Sequence, residues 1–147
     1  MSTIAIAADH AGVSLKAELV AELKKLGHEV VDLGPATTES VDYPDFAAKV
    51  TAQVTSGAAS LGVLVCGTGI GMSIAANKVP GIRAAVCRTE FEARATRQHN
   101  DANVLCLGQR VTGGGLAVEI ARAFVSTGFE GGRHQARVAK VTALEHR

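Results

Sequence analysis

Aromatic residues are scarce in this chain: it has no Trp, one Tyr and four Phe, which leaves little to stack on an isoalloxazine ring and makes any core aliphatic. An excess of charge of one sign is missing as well. The formal net charge of +1 excludes the overall basic field of a general nucleic-acid or membrane-surface binder, so anion selectivity must be local. Cys66, Cys87 and Cys106 are an odd set with no Cys-x-x-Cys pair, which argues against a secreted disulfide framework and predicts reduced thiols. No apolar run is long enough to span a bilayer, and the N-terminus MSTIAIAADH lacks a basic lead followed by a long apolar stretch. A cytoplasmic protein without a nucleic-acid or membrane partner is expected.

What is present is an alternation of aliphatic runs. Hydrophobic residues make up 47% of 147, a length that suits a single domain with one compact core over 1–147. Strands are predicted at 3–8, 29–33, 61–66, 82–87 and 104–107, and helices at 13–26, 44–56, 71–78, 90–98 and 116–127. Helical spacing of Val13, Leu15, Leu19, Val20, Leu23 and Leu26 supports the first helix, Gly27 ends it, and Pro44 suits the start of the second. Strands separated by helices imply an α/β three-layer sandwich, a five-stranded parallel sheet of flavodoxin-like or Rossmann-like kind. A further helix is expected in the tail, 131–147, where Val138, Val141 and Leu144 form an apolar stripe. Because the sandwich is already complete, this stripe is predicted to pack against a second subunit in a two-fold homodimer.

Ligands of open parallel sheets bind beyond the carboxyl ends of the strands. Here those ends carry Asp9-His10, Asp42-Tyr43, Cys66-Gly67-Thr68-Gly69-Ile70-Gly71 and Gly108-Gln109-Arg110. Three alternating glycines between a buried strand and a helix aim several N–H groups at one point, an anion cradle that is neither the dinucleotide fingerprint nor a P-loop. Cys66 stands directly before it, where the positive end of a helix dipole favours a thiolate base; otherwise it is a small core hydrophobe. Cys87 and Cys106 lack such a loop and read as core residues, and the cysteine spacings match no zinc module, so no metal centre is expected. Asp9 is open to a second reading as a helix N-cap, and His99-Asn100 to one as a helix terminus. Arg133 and Arg137, at i and i+4 with His134 beside them, suit a phosphate dianion or form a solvated basic face. His28 and His146 read as solvated surface residues.

The ordered set AADHAG, DYPDFA, LVCGTGIGMSIAANK, GIRAAVC, RQHNDANVL, LGQRV and EGGRHQARV resembles ribose-5-phosphate isomerase type B, a family that includes the galactose-6-phosphate isomerase subunits. The resemblance spans residues 4 to about 144. It implies a homodimer, or a dimer of dimers, of flavodoxin-like subunits that share active sites and use no metal or organic cofactor. By the same resemblance Cys66 takes the C2 proton, Thr68 and the backbone of Gly67, Gly69 and Gly71 form the enediolate-stabilising hole, His99 opens the sugar ring, and Asp9 handles hydroxyl protons. His10, Arg110, Arg133, His134 and Arg137 match the phosphate-binding set, and Tyr43 and Asn100 the substrate-positioning residues. Members without the cysteine place a Glu in the glycine loop; Met72 occupies that position here, so the chain looks like the thiol branch.

The implied activity is interconversion of a phosphorylated aldose and ketose, ribose 5-phosphate or a relative such as allose 6-phosphate, galactose 6-phosphate or a tetrulose phosphate. Three other readings compete with it. A flavodoxin-like nucleotide or flavin module is disfavoured by aromatic poverty, a phosphoacceptor domain by Cys66 where strand three would need Asp, and a weak partner subunit by retention of Cys66, Thr68 and His99. A helix feeding strand five places His99 near the amino edge of the sheet, away from Cys66. His99 and Asn100 are therefore expected to reach the site of the partner subunit.

Overall fold

The computed structural model describes residues Ser2 to His146; Met1 and Arg147, the ends of the expected domain and of its tail, lie outside the described residues. The elements alternate in chain order: β1 (Thr3–Ala8), α1 (Val13–Lys25), β2 (Glu29–Asp32), α2 (Tyr43–Thr55), β3 (Leu61–Cys66), α3 (Ile70–Ala76), β4 (Ala84–Val86), α4 (Glu90–Asn100), β5 (Val104–Gly108), α5 (Gly114–Ser126) and α6 (Arg133–Ala143), the last continuing as a short 3₁₀ turn, Leu144–His146. All pairings are parallel, in the order β2-β1-β3-β5-β4. The α/β sandwich with its five-stranded parallel sheet is as expected, but β5 rather than β4 lies beside β3, unlike the flavodoxin order 2-1-3-4-5. That exchange sets the site: Cys66 pairs with Gly108, so the ends of β3 and β5 meet, and the three-residue β4 becomes the sheet edge.

The pleat divides the core in two. Ile4, Ile6, Val63, Val65, Leu105 and Leu107 face α1, α4 and α5 with Leu19, Leu23, Ile120 and Phe124, while Ala5, Ala7, Leu64, Cys66, Val104 and Cys106 face α2 and α3 with Val50 and Met72. Successive strand residues therefore go to opposite faces, and both faces are dry, which explains why these strands read as continuous apolar runs. Two packing demands shaped the sequence. A side chain at Gly62 would stand 2.5 Å from Val50, and one at Gly12 would stand 2.6 Å from the Val65 carbonyl oxygen, so both helices approach the sheet only over glycine.

Element limits move by a few residues where local chemistry overrides periodicity. The second helix begins at Tyr43, one residue before Pro44, and the fifth begins at Gly114 rather than at Leu116. The expected strand 82–87 keeps only its centre, because the Arg83 N–H donates to the Asn103 side-chain oxygen instead of a strand carbonyl and Cys87 ends the ladder. His28 is not a free surface imidazole: it is half-buried, and its Nδ1 accepts the Ser2 N–H at 3.2 Å, closing the start of β1 onto that of β2. Among the described residues no helix is long and apolar enough to cross a membrane.

Candidate active site

At the carboxyl edge of β3, Cys66 is nearly buried, 5% exposed, and its Sγ accepts the Gly69 N–H at 3.1 Å. An amide aimed at sulfur is the contact a thiolate accepts. The loop can fold back this way because Gly69 has φ +80°, and a side chain there would crowd the Leu107 backbone at 3.0 Å. The Gly69 amide is thus turned toward the sulfur, and that of Ile70 meets Thr68 Oγ1 at 3.2 Å.

The cradle is walled by its neighbours. Gln109 N–H donates to the Cys66 carbonyl at 2.9 Å and Arg110 N–H to the Gly67 carbonyl at 3.0 Å, which lays the Arg110 side chain over Gly67. On the other side the Tyr43 ring sits against Gly71, so close that a side chain there would fall 2.9 Å from the ring. Asp9 is buried beside β3: its N–H donates to the Val65 carbonyl and its Oδ1 accepts the Ala11 N–H at 2.9 Å. The reading of Asp9 as a helix cap is corrected, since Gly12 holds the N-cap of α1 and Asp9 closes the turn before it.

His10 Nδ1 accepts the Val41 N–H at 3.2 Å, so the neutral ring carries its proton on Nε2 and presents a donor. The loop that supplies Val41 is anchored by Lys16, a buried lysine whose Nζ meets both oxygens of Asp32 at 2.7 and 2.9 Å. Burial pushes the Asp32 carboxyl up, but the Lys16 ammonium and the Gly34 amide outweigh it and hold the group below the ordinary carboxylate range. Cys87 and Cys106 are core residues, as expected. Burial, with Glu92 beside it, pushes the Cys87 thiol up to about 12, and burial raises Cys106 further.

The second set of polar groups lies at the opposite edge. His99 and Asn100 are the last residues of α4, which runs past the expected 98 because Asp101 takes the left-handed conformation, φ +48°, as its C-cap. Two arginines hold that cap. Arg97 Nη1 donates to Asp101 Oδ1 at 3.1 Å and to the Ala102 carbonyl at 2.6 Å, and Arg83 Nε donates to the carbonyls of Asn100 and Asp101, each at 3.0 Å. Thr96 Oγ1 donates to Asn100 Oδ1 at 3.1 Å. The His99 ring stacks on that of His134, centroids 4.4 Å apart, with Glu130 reaching toward both. Burial, then the neighbouring His99 and Arg133, push the His134 imidazole below its ordinary value.

His99, Asn100, His134 and Arg137 line a groove of about 800 Å³ between α6 and the edge strand β4, whose apolar walls include Ile82, Ala84, Val138, Val141 and Leu144. The apolar stripe of the tail is thus half open, with Val141 and Leu144 more than half exposed. Arg133 stands one turn before Arg137 on the same helix.

One chain therefore gathers Asp9, His10, Tyr43, Cys66, Gly67, Thr68, Gly69, Gly71 and Arg110 at the carboxyl edge, and His99, Asn100, Arg133, His134 and Arg137 at the amino edge. The length of β5, about 13 Å of extended chain, separates them. His99 and Asn100 lie away from Cys66 as expected. The phosphate set, read from sequence as one group, is divided in a single chain: His10 and Arg110 stay with Cys66, while the α6 residues go with His99. The groove does not reach Cys66, whose sulfur is covered by its own loop. Reading the sequence missed the supporting residues Lys16, Asp32, Arg83, Arg97 and Asp101, along with Glu130, and gave Gln109 no role beyond its place at a strand end. Only the i,i+4 spacing of Arg97 with Asp101, and of Glu130 with His134, carried a signal.

The chain is similar to known proteins along nearly its whole length. Residues 4–141 match the Ribose/Galactose Isomerase family. The chain is 50% identical to ribose-5-phosphate isomerase B of Escherichia coli over 147 residues, covering 100% of this chain and 99% of that one. Its fold is similar to that of Clostridium thermocellum ribose-5-phosphate isomerase B, with a TM-score of 0.96, 53% identity, and 98% and 97% of the two chains covered. It is also similar to Mycoplasma genitalium ribose-5-phosphate isomerase B with bound ribulose-5-phosphate, with a TM-score of 0.95, 44% identity, and 99% and 97% covered. With matched motifs along nearly its whole length, the chain belongs to the ribose/galactose isomerase family.

Proposed function

We propose that this chain is a sugar-phosphate aldose-ketose isomerase that interconverts ribose 5-phosphate and ribulose 5-phosphate without a metal or organic cofactor, acting in the cytoplasm. The observation that carries the mechanism is the sulfur of Cys66 accepting the Gly69 amide at the start of the glycine loop. Ribulose 5-phosphate bound to the Mycoplasma genitalium relative supports the substrate. Moving a carbonyl from C1 to C2 requires loss of a weakly acidic carbon-bound proton, so a base and pre-aimed donors must act together.

In this reading the Cys66 thiolate takes the C2 proton, and the amides of Gly67, Thr68 and Gly71, with the Thr68 hydroxyl, hold the enediolate oxygen. Asp9 carries a proton between the two hydroxyl oxygens, and the Cys66 thiol returns one to C1. Tyr43 walls the sugar. The base contributes about 10²- to 10⁴-fold and a lost oxyanion donor about 10²- to 10³-fold. A homodimer completes the site: His99 of one subunit opens the ring over the Cys66 of the other, Asn100 positions the sugar, and His10, Arg110, Arg133, His134 and Arg137 converge on the phosphate. The half-open α6 stripe, whose apolar side chains a partner would cover, supports that packing.

Turnover of ribose 5-phosphate in D₂O, followed by NMR, tests the chemistry: deuterium should enter at C1 of ribulose 5-phosphate. Cys66→Ala should remove both turnover and exchange while leaving the circular dichroism spectrum intact. Full activity in that variant would refute the thiol base. A panel of C4, C5 and C6 sugar phosphates ranks the substrate.

A further inference from the structure

Three lone-pair donors converge on the α6 side of the groove without bonding one another. Glu130 Oε1 lies 3.9 Å from His99 Nε2 and 3.7 Å from His134 Nε2, both beyond hydrogen-bond length. The ligand atoms of the three residues all fall within 4.8 Å of each other. We propose that His99, Glu130 and His134 form a binding site for a borderline divalent cation such as Zn²⁺, and that its occupation switches the isomerase off by withdrawing His99.

Two imidazoles and a carboxylate are the donor set such cations prefer, and an open fourth position is left for water. Zinc bonds of about 2.0–2.2 Å bring tetrahedral donors to about 3.4 Å from each other, so the cluster must contract by roughly an ångström or less at most contacts. The parts that must move are free to do so. Glu130 and His99 are about half exposed, whereas His134 is fixed and 7% exposed. His99 has to tilt out of its stack on His134, where the rings now stand 17° from parallel.

The backbone that brings the donors together is built for it. The Glu130 N–H donates to the Gln98 carbonyl at 3.1 Å, tying this loop to the end of α4. Gly131 and Gly132 then turn with φ +68° and +55°, so that Glu130 and His134 face one another across the start of α6. Arg133 and Arg137 flank the site and repel a dication, which makes it a reversible inhibitory site rather than the seat of a resident cofactor.

The inhibition, though not the binding, rests on the role given to His99. Cobalt(II), used as a visible probe, should bind one per chain with d–d bands that persist in Cys66→Ala and weaken at least about tenfold in affinity in Glu130→Gln and His134→Asn. In turnover assays Zn²⁺ should inhibit the native enzyme. Glu130→Gln should turn over normally without metal and need at least about tenfold more Zn²⁺ for the same inhibition. Cobalt binding that is absent, or unchanged in Glu130→Gln, overturns the site, as does equal zinc sensitivity of that variant. Stoichiometric binding with undiminished turnover would instead leave the site standing and refute both the switch and the part assigned to His99.

Discussion

The two edges of the sheet hold chemistry of opposite construction. At the carboxyl edge the groups are set by backbone: the Cys66 sulfur by one amide, Asp9 by another, His10 by a third, with glycines where nothing larger fits. At the amino edge they are long or half-exposed side chains: His99 at the end of α4, whose cap is held by Arg83, Arg97 and Asp101, and Arg133 and Arg137 on α6. Under the proposed function the difference fits a division of labour: proton transfer from carbon tolerates little misplacement and suits groups fixed by backbone, whereas opening a ring and completing the phosphate grip suit groups that can adjust.

The sharpest way to break this comparison is complementation. Cys66→Ala and His99→Asn should each lose about 10²- to 10⁴-fold in kcat, yet an equal mixture unfolded and refolded together should regain roughly a quarter of native activity, because half the dimers then carry one intact site. Failure to regain any activity would mean that the two edges do not share a site. Next in size, Gly108→Ala should lower kcat by about 10²- to 10³-fold, since the added methyl would stand 2.5 Å from the Thr68 backbone and displace the cradle. Comparison of its kcat with its melting temperature tells displacement of the cradle from general unfolding.

Smaller effects test the supports. Asp32→Ala leaves the Lys16 ammonium buried and unpaired and should cost near the low end of about 3–5 kcal/mol in urea unfolding, Asp32 being itself partly exposed. Because the folded state holds the Asp32 carboxyl below its unfolded value, its stabilisation is present above the unfolded pKa of about 3.9 and is lost as pH falls through the folded value. Native protein should therefore lose more stability than Asp32→Asn as pH drops through that window. Arg97→Ala, at the other edge, should lower stability by about 1–3 kcal/mol and raise KM, as the cap under His99 loosens. The smallest effect on the fold is expected from Val141→Ser with Leu144→Ser, at most about 0.5 kcal/mol each, while sedimentation should show weakened subunit association.

Much of this was legible in the residues. Thr3–Ala8 and Leu61–Cys66 are apolar on both faces and admit few places other than the middle of a parallel sheet. The alternating glycines of GTGIG marked the tight turn after β3, which Gly69 makes with a positive φ. Asp9 was ambiguous, because a cap and a buried active-site carboxylate use the same side chain before the same helix. Hidden altogether were pairs far apart in sequence, such as Lys16 with Asp32 and Gln109 with the Leu15 amide, since no local spacing reports them.

The sequence by itself determined the α/β class, the order of its elements and the place of Cys66 before a glycine-rich turn, because each follows from local periodicity, turn chemistry and side-chain type. Only the tertiary structure decided that β5 stands beside β3, bringing Gly108 and Arg110 to Cys66, and that β4 is left as the edge under α6. Strand order depends on which crossovers bury the most apolar surface together, a property of the whole packed chain that no single segment contains.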